Sequence, residues 1–420
     1  MNILFLTQVL PYPPDAGPKF KTWQVLRYLM EKGHTVTLIS MIRPEDEKFC
    51  HVVDQLVTAF YPVQIQRSRM KDVFFLLRSV LTGRPFLIER DDLREIRLLV
   101  ERLVFENTYD AMHADQVTLT QFILPYAQKS GASDESEGKR GPVLLFDAHN
   151  ATWKILERFA SESRGPKRWF FQWEANRVRR YEADLIGRCD RILAVSDVDR
   201  DALREAAVQA GQEIQAMGKK FMVIPITVDT QEILPVKRAV GSLNVFTFGT
   251  LYYPPNADGI RWFINGVFPK VREAVPGVTL TVVGKNPPPD FLALQSASPD
   301  VFHVPGYVTD LTPWFEQAAV VIVPVRVGGG MRVRILEAFA RAMPIVTTTV
   351  GLEGIDALPG EHILVEDDES AFAEAVIGLI KDEKWQNRLA AKGRQLAEQM
   401  YDQQVVLQQL DEIYPAWENA

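Results

Sequence analysis

Val327-Gly328-Gly329-Gly330-Met331-Arg332-Val333-Arg334-Ile335-Leu336-Glu337 is the stretch whose residue types and spacing could do chemistry most directly. Three consecutive glycines let backbone amides approach a ligand and turn toward it, which suits a phosphate or diphosphate. Arg332 and Arg334 then fall in or near the first turn of a helix, where the helix dipole disfavours cations unless an anion sits there too. Glu337 follows Arg334 by three and Gly330 by seven, one helical stripe, and its carboxylate could accept hydrogen bonds from sugar hydroxyls. A diphosphate and a ribose would both find partners here. The same spacing also allows a plain surface helix on which Arg334, Glu337 and Arg341 form exposed ion pairs, which are common and worth little.

The apolar, β-branched run 319–325 that precedes the glycines reads as a buried strand, and the pattern Ile335 to Met343, ending before Pro344, reads as a helix. The same rhythm runs through the chain. Strands are expected at Ile3–Leu6, Thr35–Ile39, Ala111–His113, Val143–Phe146, Arg191–Val195 and Phe221–Ile224, then at Asn244–Phe248, Thr279–Val283, Val320–Val325 and Pro344–Thr348. Helical segments are expected at Trp23–Glu31, Gly259–Val267 and Ser370–Asp382. Alternation of this kind predicts parallel strands with crossover helices, hence an α/β protein of two doubly wound Rossmann-like domains facing a central cleft. The expected boundaries are an N-terminal domain at 1–228, a linker at 229–243, a second domain at 244–398 and a helical segment at 399–420 that crosses back to the first. Ligands of such sheets bind beyond the carboxyl ends of the strands, where both small-residue loops fall, Asp15-Ala16-Gly17 and Gly328-Gly329-Gly330.

A length of 420 residues exceeds what one core usually serves, and 47% hydrophobic with 24% charged residues describes an ordinary globular chain. A net charge of -7 argues against nucleic acid as a partner. Cys50 and Cys189 form no metal-ligand pair, fitting free thiols in a reducing cytoplasm. The opening Met1-Asn2-Ile3-Leu4-Phe5-Leu6 has no basic region before it, and no run reaches the roughly eighteen apolar residues of a membrane span. A cytoplasmic protein, or one peripheral to the inner face of the membrane, is expected. Asp15-Ala16-Gly17-Pro18 is no dinucleotide fingerprint, and a Walker loop is absent.

Several segments together resemble the retaining nucleotide-sugar glycosyltransferases of family 4. The likeness runs from Pro13-Pro14-Asp15-Ala16-Gly17 and Glu31-Lys32-Gly33-His34-Thr35-Val36 through Phe146-Asp147-Ala148-His149-Asn150, Tyr181-Glu182 and Ala194-Val195-Ser196. It continues at Phe248-Gly249, Val282-Val283-Gly284, Val304-Pro305-Gly306-Tyr307-Val308 and Ile335-Leu336-Glu337-Ala338. The resemblance implies the GT-B fold and a nucleotide diphosphate sugar as donor substrate, with no cofactor and no metal. It also implies that Glu337 binds the donor ribose, that Gly306, Tyr307 and Val308 contact the base, and that Gly17 and Gly249 lie near the donor. Arg332 and Arg334 would neutralise the departing diphosphate, with Gly328, Gly329, Gly330 and Met331 forming the loop around it. The chain departs from the family pattern at Gly329, where a first glutamate is common, at Ile226-Thr227 in place of Asn-Gly, and after Gly249, where an Arg and a Lys are usual.

Transfer with retention needs a stabilised leaving diphosphate more than a protein nucleophile, and arginines with helix-end amides supply that. His113 and His149 follow strands of the first domain and read either as groups that orient a donor sugar or an acceptor hydroxyl, or as hydrogen-bonded structural histidines. Two basic aromatic stretches, 67–84 and 164–180, read either as helices packed on their own domain or as a face for an anionic membrane. The expected activity is hexosyl transfer to a glycan, glycolipid or lipid-linked acceptor. Its rivals are a GT-B nucleotide-sugar epimerase and a catalytically weak paralogue acting as a binding subunit.

Overall fold

In a computed structural model, residues 1–14, 17–127, 141–213, 217–218 and 220–415 are described. Asp15 and Ala16 of the first small-residue loop lie outside them. The chain divides into two compact units, one of Met1–Ile226 with Leu407–Ala420 and one of Thr227–Val406.

The first unit is built on a parallel sheet of β1 (Asn2–Thr7), β2 (Thr35–Ile42), β3 (Ala59–Gln64), β4 (Ala111–Asp115), β5 (Val143–Ala148), β6 (Arg191–Ala194) and β7 (Phe221–Val223), in the order β3-β2-β1-β4-β5-β6-β7. The second has β8 (Asn244–Phe248), β9 (Thr279–Val283), β10 (Phe302–Gly306), β11 (Ala318–Val323), β12 (Ile345–Thr347) and β13 (Leu364–Val365), ordered β10-β9-β8-β11-β12-β13. Both sheets reverse their winding once, between β1 and β4 and between β8 and β11, and at such a reversal two successive crossovers leave on opposite faces and open a crevice. The central strands are buried along nearly their whole length, which is why they read as unbroken apolar runs. A continuous core that includes Val245, Leu280, Ile322, Phe263 and Phe372 packs against the second sheet. Among the described residues, further cores around Phe146 and Ile192 and around Leu4 and Met112 support the first sheet.

Helix bounds differ from expectation mainly at the amino ends. The first helix spans Gly17–Glu31, six residues earlier than the apolar pattern suggests. A helix at Pro254–Trp262, with prolines in its first turn, runs into a wider π-helical turn at Phe263–Val267. Glu369–Lys381 is capped by Asp368, whose carboxylate accepts from the Ser370 and Ala371 amides. The glycine loop feeds a helix of Val333–Ala340, not one reaching Met343.

The stretch 229–243, expected as a linker, is bonded to the second unit. The Arg394 guanidinium donates to the Ile233 and Thr230 carbonyls, and the Val236 and Ala239 amides donate to the Arg341 and Glu316 carbonyls. From Leu407 the chain belongs again to the first unit, where the Asp411 carboxylate accepts from Tyr28 and Lys32. Among the described residues no helix is long and apolar enough to cross a membrane.

Candidate active site

In the second unit the crevice at the β8–β11 reversal is shaped by close backbone approach. The Gly249 amide, just past β8, donates to the Val283 carbonyl, and the Gly284 amide, just past β9, donates to the Gly306 carbonyl, so three strand ends are stitched together. Gly249 has φ +142°, a conformation that a side chain disfavours, and a Cβ there would lie 3.2 Å from Arg334 Nη1. At Gly284 a Cβ would come within 1.9 Å of the Gly249 carbonyl oxygen.

Arg334, second residue of helix Val333–Ala340, spans this crevice. Its Nη1 donates to the Phe248 carbonyl at 3.0 Å and its Nη2 to Asn256 Oδ1 at 2.7 Å, while Asn256 Nδ2 donates to the Thr250 carbonyl at 3.0 Å. It makes no ion pair among the described residues, and burial, with Arg332 nearby, pulls its guanidinium down from the ordinary range. Two like charges crowded at the positive end of a helix destabilise the bare protein and favour a bound anion. Arg332 occupies the N-cap position of the same helix and donates from Nη1 to the Gly329 carbonyl at 2.7 Å. A Cβ on Gly328 would sit 3.7 Å from Arg332 Nη2 and 3.8 Å from the Tyr253 hydroxyl, so the glycine loop lies beside the start of helix Pro254–Trp262.

Because the helix begins at Val333, Gly330 lies outside it, and only Arg334 and Glu337 share a stripe. The exposed network of Arg334, Glu337 and Arg341 does not form. Glu337 is half-buried and pairs, among the described residues, with Arg341 at 3.4 Å, while Arg341 also donates to Thr312 Oγ1. Burial raises the Glu337 carboxyl above its usual range, with Arg341 opposing. Met331 buries its side chain, leaving only backbone for a ligand. Gly306, the last residue of β10, has φ +81°, and beyond it Tyr307 is exposed and Val308 half-buried. The Lys285 ammonium, a cation not singled out from the sequence, lies 4.7 Å over the Tyr307 ring.

The first unit gathers its polar groups at the carboxyl ends of β1, β4 and β5. Asp115 accepts from Thr7 Oγ1 at 2.8 Å and Thr22 Oγ1 at 3.0 Å, and His149 Nε2 lies 2.6 Å from its other oxygen. Lys21, buried in helix Gly17–Glu31, pairs with Asp147 at 2.5 Å. Burial alone would raise the Asp147 carboxyl, but Lys21, His113 and His149 hold it well below the usual carboxylate range. Gly17 opens the same helix. His113, read from the sequence either as a substrate-orienting or as a structural histidine, is fully enclosed. Its ring stacks on Phe5 at 4.1 Å between centroids, its Nδ1 is 2.7 Å from the Tyr414 hydroxyl, and its Nε2 is 3.6 Å from Asp147. The buried imidazole is thus fixed by the Tyr414 hydroxyl and the Phe5 ring, while its Nε2 has no hydrogen-bond partner among the described residues. His149 is also largely buried, but sits past the end of β5, at the rim of the same cluster.

His113, Asp115 and Asp147 bring metal-ligating atoms within 4.8 Å of one another, a grouping their spacing in sequence does not announce. The donor set fits a cation poorly, because the Lys21 ammonium already sits on Asp147 and both Asp115 oxygens accept hydrogen bonds. Glu182, one of the segments that carry the resemblance, is buried beneath helix Thr152–Glu162, where its oxygens accept the Thr152 and Trp153 amides at 2.9 and 3.2 Å. Burial pushes its carboxyl up to about 8, against those two donors.

Residues 242–382 match the family model described as glycosyl transferases group 1. A Klebsiella pneumoniae protein named "Uncharacterized 44.6 kDa protein in cps region" is 23% identical over 416 residues, 96% of this chain and 97% of that one. Among solved structures, sucrose-phosphate synthase from Thermosynechococcus elongatus superposes with a TM-score of 0.66 at 16% identity, over 99% of this chain and 98% of that one. Anabaena HepE, solved in complex with UDP-glucose, gives 0.61 at 15% identity over 99% of both chains. The fold is thus GT-B, and residues 242–382 of its second unit are similar to the glycosyl transferases group 1 family.

Proposed function

We propose that this protein is a retaining glycosyltransferase that moves a hexosyl group from a nucleotide diphosphate sugar to a glycan, glycolipid or lipid-linked acceptor, without a metal ion, in polysaccharide biosynthesis. The observation that carries the reading is the crowding of Arg332 and Arg334 at the glycine-rich amino end of helix Val333–Ala340, with the half-buried Glu337 one turn on. That end offers guanidinium and amide N–H groups to a diphosphate, and Glu337 can accept from ribose hydroxyls. As the bond from the anomeric carbon to the diphosphate breaks, the electron pair leaves on the diphosphate, where the arginines stabilise it. The acceptor oxygen bonds the anomeric carbon on the same face, and its proton passes to the departing phosphate oxygen. The UDP-glucose held by HepE and the cps location of the Klebsiella relative support this choice of donor and pathway class.

Gly329, in place of an expected glutamate, favours a second reading, a binding subunit that holds donor without transferring it. A thermal-shift panel of UDP-, GDP-, ADP- and TDP-sugars tests the donor site. A ligand at about a hundred times its dissociation constant adds about 2.7 kcal/mol. A rise with one nucleotide class that Arg332→Ala removes is expected, and no rise with any would overturn the reading. Donor binding without turnover, with or without acceptor, would select the binding subunit, and donor turnover without acceptor an epimerase.

A further inference from the structure

Helix Arg69–Thr82 is built inside out. Met70, Val73, Phe74, Leu77, Val80 and Leu81 recur at the three- and four-residue spacing that makes one helical stripe, and that stripe normally faces a core. Here all six are exposed, Met70 to 84% and Leu81 to 87%, and Ser79 is the helix's one buried side chain. The helix is nonetheless well terminated. Ser68 Oγ accepts the Lys71 amide, and Gly83 closes the carboxyl end at φ +74°. A second exposed group, Trp169, Phe170 and Trp173, lies on helix Pro166–Arg188. Arg177 joins the two. Its guanidinium donates to Ser79 and to the Gly83 carbonyl and lies 4.1 Å over the Trp173 ring.

Charge says what covers this surface. The whole chain carries -7, yet residues 67–84 hold five Lys and Arg against one Asp, and residues 164–180 hold six against one Glu. Those turned inward are neutralised, as with Arg78 and Arg84 on Glu89 and Asp92 and Arg177 on Glu174. Arg69, Lys71, Lys167 and Arg168 are exposed beside the apolar residues and make no ion pair among the described residues. Lys167 and Arg168 sit in the first turn of their helix, the end whose dipole asks for an anion. We infer that this face docks on an anionic lipid bilayer, its leucines, phenylalanines and tryptophans entering the headgroup boundary and its lysines and arginines meeting lipid phosphates. The inference stands apart from donor binding, which it neither needs nor tests.

The test is flotation of the full chain with vesicles of phosphatidylcholine alone or with about a third phosphatidylglycerol. Binding is expected on the anionic vesicles only, weakened by salt, with a blue shift of tryptophan emission. Each basic residue near the surface contributes about fivefold to partitioning, so Lys167→Gln/Arg168→Gln lowers it by about 25-fold. Leu77→Ser/Leu81→Ser abolishes it with an unchanged melting midpoint, since neither side chain is packed. Absence of flotation, or flotation indifferent to both pairs of substitutions, would overturn the inference. So would a concentration-dependent dimer that Leu77→Ser/Leu81→Ser dissolves, which would make the face a protein interface.

Discussion

Replacing Lys21 by methionine removes the ammonium from Asp147 while keeping most of the buried stem. Both groups are nearly inaccessible, and the 2.5 Å contact is the carboxylate's closest polar contact. Leaving one member of a buried pair alone costs about 3–5 kcal/mol. The penalty has a ceiling, because the stranded carboxyl can take up a proton instead. Neutralising an ordinary carboxyl at pH 7 costs about 4 kcal/mol, so the expected loss is about 3–4 kcal/mol. That ceiling falls with pH. Between pH 7 and pH 5 the proton becomes cheaper by about 2.7 kcal/mol, so the variant should regain stability relative to the parent by up to that amount. Urea denaturation at the two pH values measures both quantities, and Lys21→Met/Asp147→Asn should restore most of the loss at pH 7. A loss below about 1 kcal/mol, or a gap that does not narrow at pH 5, would refute the assignment of Lys21 as the cation that compensates Asp147.

Other expectations are as direct. Arg332→Ala should weaken nucleotide diphosphate binding by about 1.5–3 kcal/mol, read by titration calorimetry, whereas Arg334→Ala should also destabilise the second unit because the Phe248 carbonyl and Asn256 lose their donor. Gly284→Ala should disrupt the crevice, since its Cβ meets the Gly249 carbonyl oxygen at 1.9 Å, and should lower both melting midpoint and nucleotide affinity. Glu182 holds its proton to about pH 8 in the folded chain but only to about 4.5 in the unfolded one, so its contribution is full below 4.5 and lost as pH rises through about 8. Asp147, held low, runs the other way, stabilising above its unfolded value near 3.8 and failing as acid protonates it. Melting midpoints across pH should therefore decline on both sides, and Glu182→Gln should flatten the alkaline limb.

The interior strands were legible because burial on both faces demands continuous apolar runs, whereas β3, β10 and β13 were not foreseen. All three are sheet edges, where Pro62 and Pro305 can sit without breaking a ladder and two residues suffice for β13. The glycine loop and its arginines announced themselves through local conflict with the helix dipole. Their fixed geometry did not, because Phe248 and Asn256 lie 86 and 78 residues from Arg334. Strand ends placed His113 and His149 but could not show that a tyrosine 301 residues on would enclose the first. Lys21 left one trace, a lysine four residues before Val25 on the inward stripe of its helix.

The return of the chain at Leu407 bears on the order in which the molecule can be made. Residues 227–406 are contiguous, so the second unit has its whole sequence available while the first still waits for its last piece. His113 emerges from the ribosome long before Tyr414 can meet it, and Tyr28 and Lys32 wait longer for Asp411. During that interval a buried imidazole lies uncovered in a unit whose sheet is otherwise complete. The unit synthesised first is thus the unit finished last, and it is there that premature termination after residue 406 would strike, although every strand of both sheets had already been made.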